Sequence, residues 1–112
     1  MPVFEVSSVL GKRVRLTKAQ WLHIRDRHPE IRGQQSKLRE TLEQPDFVVE
    51  SIQDGTIHYV RYYTKTPVTD KYLLLIVKHL NGDGFIITSF FVNRIRKQGK
   101  EVLYGSENYD QL

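Results

Sequence analysis

At residue 46 the spacing of apolar positions changes from a helical period to an alternating one, and the chain divides there into two halves. In the first half Trp21, Ile24 and His28 recur at i, i+3 and i+7 with Leu22 at the edge of the stripe. This predicts an amphipathic helix over residues 18–27 or 18–28. Thr17 stands at the N-cap with Gln20 in the capping-box position, and Pro29 pushes the residue before it out of helical geometry. Ile31, Gln35, Leu38 and Leu42 repeat at i, i+4, i+7 and i+11, so a second helix is expected over 33–43, closed by Pro45. Residues 3–6 and 12–16 read as two short strands separated by Ser7, Ser8 and Gly11.

The second half reads as an antiparallel meander. Residues 47–52 form a strand, Gln53-Asp54-Gly55 a tight turn, and residues 56–64 the returning strand. A polar loop over 65–71 holds Pro67. Residues 72–80 are so continuously apolar that they are expected at the centre of a sheet, covered on both faces, and Asn81-Gly82-Asp83-Gly84 turns them into a strand over 85–92. A basic connection leads to a last strand over 101–104, and residues 106–112 read as a loose tail. The expected architecture is one α+β domain over residues 1–105, two N-terminal helices packed on a four- to five-stranded antiparallel meander.

Composition narrows this little. The 112 residues include 39% hydrophobic and no cysteine, which excludes disulfides, thiolate zinc sites and a cysteine nucleophile. Seventeen Lys and Arg against thirteen Asp and Glu leave +4, a balance that favours a polyanionic partner. The first residues lack the charged-then-apolar order of a signal peptide, and no apolar run approaches the roughly 20 residues of a membrane helix. A soluble cytoplasmic protein without a membrane partner is the expectation.

Strand 56–64 alternates Ile57, Tyr59, Arg61 and Tyr63 on one face with His58, Val60, Tyr62 and Thr64 on the other. A guanidinium at Arg61 between two tyrosines suits a phosphate beside a stackable base; it equally suits cross-strand aromatic packing with one exposed arginine. Lys78 and His79 lie on opposite faces near a strand end, and Thr88 and Ser89 alternate inside an apolar strand. Arg94, Arg96, Lys97 and Lys100 form the densest basic cluster, a phosphate-tracking rim or a solvated connection. His28 sits where the apolar stripe meets the helix end, a place for chemistry or for satisfying the last helical carbonyls. The histidines at 23, 28, 58 and 79 lack metal-site spacing, and neither a phosphate-binding glycine loop nor a nucleophile elbow is present, so no metal or cofactor is expected. The set that remains, His, Arg, Lys, Tyr and Thr on a basic sheet, is what a ribonuclease working without a metal uses.

The stretches VRLTKAQWLHIRDRHPEI, LRETLEQPDFVVES, YVRYYTKT and KYLLLIVKHLNGDGFIITSFFV resemble, in that order, phage-associated and toxin-like members of the barnase, EndoU, colicin and RelE-like (BECR) nuclease superfamily. The resemblance covers about residues 12–104. It implies helices followed by a four-stranded antiparallel meander, with an RNase site drawn from the first helix and the sheet face. Matched residue by residue, it points to His28 at the helix end, Arg61 on the strand and Thr88 on the later strand as catalytic. Tyr63 and Lys78, reached from alternation, and Arg94 and Arg96, from the basic cluster, complete the expected site as substrate-binding groups. By strict alternation Thr88 shares a face with Ile86 and Phe90, and whether that face meets Arg61 depends on strand register.

The expected function is RNA cleavage by 2′-hydroxyl transesterification, of a toxin-like kind, with an inhibitor or antitoxin protein as the implied partner. The alternative is an RNA-binding or protein-interaction module on the same scaffold without catalysis, and a weaker one is a purely structural domain.

Overall fold

The computed structural model describes residues 2–112. Among these residues the chain forms a seven-stranded sheet, three α-helices and one 3-10 turn. Strands β1 (Pro2–Ser7) and β2 (Arg13–Thr17) form a hairpin, followed by helices α1 (Lys18–Arg27) and α2 (Gln35–Glu43) with the 3-10 turn Pro29–Ile31 between them. Strands β3 (Phe47–Ser51), β4 (Ile57–Tyr62), β5 (Tyr72–Leu80) and β6 (Asp83–Val92) make the meander, and β7 (Lys100–Tyr104) and α3 (Ser106–Asp110) close the chain.

The sheet runs β1-β2-β6-β5-β4-β3-β7. It is therefore larger than the expected four or five strands, and it is mixed: the N-terminal hairpin joins it through a parallel pairing of β2 with β6, at Arg15 and Phe85. The reason is that both hairpin strands carry their own inward apolar residues, Val6, Val14 and Leu16, which are buried in the main core. An Arg15–Asp83 ion pair at 3.0 Å braces the joint.

Helix α1 starts as its sequence requires, with the Thr17 hydroxyl accepting from the Gln20 N–H at 3.1 Å. Gln20 does not close a capping box. Its side-chain amide instead donates to the Ile87 carbonyl, on the stretch of β6 that β2 leaves unpaired. Trp21 and Ile24 of α1, with Leu38 and Leu42 of α2, cover one face of the sheet over Tyr59, Leu73, Leu75 and Val77. Strand β5 is central, the fourth of seven. Its other face is covered only toward one end, where Phe47, Val49, Val60 and Tyr109 gather with Tyr72, Leu74, Ile95 and Val102.

That second cluster corrects the expectation of a loose tail. Residues 106–110 are helical, Tyr109 is buried edge-on against Phe47 with ring centroids 5.2 Å apart, and its hydroxyl donates to the Lys97 carbonyl at 3.0 Å. The entry to α3 is Gly105, at φ +74°, where a Cβ would stand 2.2 Å from the Asp46 carbonyl oxygen. Both the left-handed backbone and the close approach demand glycine there. Gly105→Ala is expected to cost about 2 kcal/mol, read as a lower urea midpoint, because α3 and Tyr109 must lift from Phe47. No helix among the described residues is long and apolar enough to cross a membrane.

Candidate active site

Strand register decides which side chains share a face. From β4 to β6 the ladder places His58 opposite Ile76 and Ile76 opposite Thr88; one row along, Val60, Leu74 and Phe90 align. The pairing then slips between Ile76 and Val77, because Ile87 is an extra residue in β6. This bulge reverses the alternation. Ile86 turns into the helix-covered core and Thr88 stays with Phe90 on the opposite, open face, so the sequence alternation held for Phe90 and failed for Ile86.

His28 is the C-cap of α1. Its backbone N–H donates to the Ile24 carbonyl at 2.8 Å, so the backbone meets the helix end and the ring is left over. The imidazole stacks on Phe90, centroids 4.9 Å apart and planes at 27°, with Nδ1 3.7 Å from a Glu30 carboxylate oxygen. This stack brings the helix-end histidine around the edge of β6 to the open face.

On that face a pocket of about 260 Å³ lies between His58, Val60, Leu74 and Phe90 below and Arg94, Ile95, Arg96 and Lys100 above. A second, more open groove of about 650 Å³ adjoins it and shares Val92, Arg94 and Arg96. Ile95 is anchored in the cluster under α3, which places the flanking arginines over the pocket. Arg94, Arg96, Lys97 and Lys100 form no ion pair among the described residues, whereas Arg13, Arg15, Arg39 and Arg61 are each paired with a carboxylate. Four cations without a carboxylate partner thus lie along the connection that roofs the pocket.

His58, whose face the sequence showed but whose environment it did not, has the most elaborated surroundings. The Thr56 hydroxyl donates to the Asp54 carboxylate at 2.7 Å and lies 3.0 Å from His58 Nε2; the Thr56 N–H also donates to Asp54, at 3.0 Å. These bonds hold the Asp54 carboxyl down at about 2, the Thr56 backbone N–H contributing most. Burial, and then the nearby Lys100, push the His58 ring below the ordinary histidine value, with Asp54 opposing. The signal was in the sequence: D-G-T-I-H puts Asp54 in a turn and Thr56 and His58 on one face by alternation.

Of the expected site residues, the fold therefore brings His28, Thr88, Lys78, Arg94 and Arg96 to the open face, Lys78 by its alternation with Ile76 and its pairing with Phe85. Arg61 and Tyr63 are on the other face. Arg61 donates to the Gln44 carbonyl at the end of α2, lies 3.6 Å from a Glu40 carboxylate oxygen and stacks over Tyr63 at 5.5 Å. Tyr63 donates to Glu40 at 2.7 Å, and burial, with Glu40 adding to it, pushes its hydroxyl up to about 12. The parity of β4 is the cause: Arg61 pairs with Leu73, whose side chain is in the core beneath the helices.

Among the described residues no three His, Asp or Glu side chains gather in a way that could hold a metal ion. A model of the family described as phage-Barnase-EndoU-ColicinE5/D-RelE like nuclease 2 matches residues 4–106, nearly the whole chain. The chain belongs to this family. No curated protein and no solved structure compared with it matches. For this BECR nuclease-family member the match takes in β1 from residue 4, every later strand and both long helices, so the open-face pocket lies wholly inside the matched region.

Arg61 in this arrangement fastens α2 to the sheet. Arg61→Ala is expected to lower the unfolding free energy by about 1–2 kcal/mol, seen as a lower denaturation midpoint at unchanged slope.

Proposed function

We propose that this BECR-family chain is a ribonuclease that cleaves RNA by transesterification on the open face of its sheet, without a metal ion. The observation that carries the reading is the His28–Phe90 stack at a pocket roofed by the unpaired cations Arg94, Arg96 and Lys100. Each part answers a requirement of the chemistry. A flat apolar pocket with Phe90 accepts a nucleobase, and guanidiniums above it neutralise the adjacent phosphate. An imidazole at its edge can pass a proton to or from the reacting oxygens. In that step the 2′-oxygen loses its proton and bonds to phosphorus, the bond from phosphorus to the 5′-oxygen breaks, and the leaving oxygen takes a proton.

In this reading Thr88 and Lys78, which share that face, hold the phosphate or the ribose. The adjoining groove past Arg94 and Arg96 gives the next nucleotide of a single strand somewhere to lie. The BECR family supports a nucleic-acid substrate, and the transfer of its site to this chain rests on His28 and Thr88. A toxin-like role in the cytoplasm, held in check by an acidic inhibitor protein laid over the same basic roof, completes the reading.

The test is incubation of wild-type and His28→Ala protein with total RNA in EDTA, scoring ends for 2′,3′-cyclic phosphate. Wild type is expected to cleave and the variant to fall by about a hundredfold or more with its fold intact. No cleavage with salt-sensitive RNA binding would leave a binding module instead. Phe90→Ala is expected to raise the concentration of RNA needed for half-maximal rate about tenfold, through loss of one stacked base, and to lower the maximal rate as well, because the His28 ring loses its stacking partner.

A further inference from the structure

We propose that His58 is the general base of this reaction, acting through Nδ1, and that Asp54 and Thr56 are positioning residues that fix its tautomer. The proposal rests on the ribonuclease reading above and names the base of its first step.

Thr56 has a single hydroxyl hydrogen, and it is committed to Asp54, at 2.7 Å. A carboxyl held at about 2 is ionised at neutral pH and has no hydrogen to give in return. The 3.0 Å contact between Thr56 Oγ1 and His58 Nε2 can then be a hydrogen bond only if Nε2 carries the hydrogen. A neutral imidazole protonated at Nε2 has its lone pair at Nδ1. Nδ1 has no hydrogen-bond partner among the described residues, and the ring lines the pocket. A carboxylate, a hydroxyl and an imidazole in series thus present one unprotonated nitrogen to the space where the substrate is proposed to lie.

His58 stands on the open face with β5 between it and Thr88, about 10 Å apart by the spacing of strands. His58 Nδ1 takes the proton of the 2′-hydroxyl, that oxygen bonds to phosphorus, the bond to the 5′-oxygen breaks, and the leaving oxygen takes a proton from water. The products are a 2′,3′-cyclic phosphate and a 5′-hydroxyl, and the proton taken by His58 returns to solvent.

The charges facing His58 are Asp54 from the β3–β4 turn, Lys100 from β7, and Arg94 and Arg96 from the roof; β3 and β5 present Val49 and Ile76. A base must be unprotonated, so activity falls as pH drops through the value of His58. Lys100 opposes the charged ring and Asp54 favours it. Removing them must therefore move the acid limb of the rate profile in opposite directions.

The experiment measures kcat/KM against pH for cleavage of a single-stranded oligoribonucleotide in EDTA, using wild type, His58→Gln, Asp54→Asn and Lys100→Met, each checked for an unchanged melting profile. The expected result is a loss of about a hundredfold or more for His58→Gln. The acid limb should move to higher pH in Lys100→Met and to lower pH in Asp54→Asn, which keeps an oxygen for Thr56 but removes the charge. Should His58→Gln fold poorly, the opposite-signed shifts still decide, since a merely structural role would not produce them. Near wild-type cleavage by folded His58→Gln, or limbs that stay in place, overturns the assignment of the base and leaves the ribonuclease reading standing. No cleavage by folded wild type overturns both.

Discussion

A single extra residue in the pairing of β5 with β6 governs the arrangement of this molecule. With Ile87 bulged, the strand turns Ile86 inward to the helices and keeps Thr88 and Phe90 on the far face. The displaced Ile87 carbonyl, on an edge with no neighbouring strand there, is met by Gln20 from the first turn of α1. That bond ties the helix to the edge of β6, and the helix length then carries its C-cap, His28, to the level of Phe90. A regular strand would have no reversal between the core and the open face, and Ile86 would share one face with Thr88 and Phe90.

On the helix side Arg61 is taken up by Glu40 and the Gln44 carbonyl, and the Tyr63 hydroxyl joins the same group. Across the open face the connection from β6 to β7 carries cations with no carboxylate partner among the described residues. Paired surface charges contribute little to binding a polyanion, since the anion must first compete with the partner already present.

Much of the fold could be read from periodicity. The boundaries of α1, β3 and β5 follow the positions of Thr17, Pro29, the Asp54-Gly55 turn and the apolar run at 72–80. Local signals failed where a partner distant in sequence decides. Nothing near Arg15 announces its pairing with Phe85, and nothing in SENYD announces that Tyr109 will find Phe47. Thr88 and His28 were expected from the family resemblance, and the fold puts Thr88 on the open face and the His28 ring against Phe90. Arg61 shows the limit: its flanking tyrosines are visible in the sequence, but its face depends on what β5 puts opposite it. His58 was legible in its alternation with Thr56, yet its weight comes from Lys100, a residue brought beside it only by the pairing of β3 with β7.

The connection that carries the free arginines is long, but it is not slack. Ile95 is packed into an apolar cluster, the Lys97 carbonyl accepts from Tyr109 at 3.0 Å, and the Gly99 carbonyl accepts from the Ile52 N–H at 2.9 Å. Fixing one loop residue costs roughly 1–2 kcal/mol of conformational entropy. Here that cost is met when the chain folds, by the burial of Ile95 and Tyr109, so that an incoming anion has only side-chain rotamers left to order. Loops that wait for their ligand give up part of their affinity to that ordering. A roof held at alternate residues keeps it, and leaves Arg94 and Arg96 as the short mobile ends of an already ordered backbone.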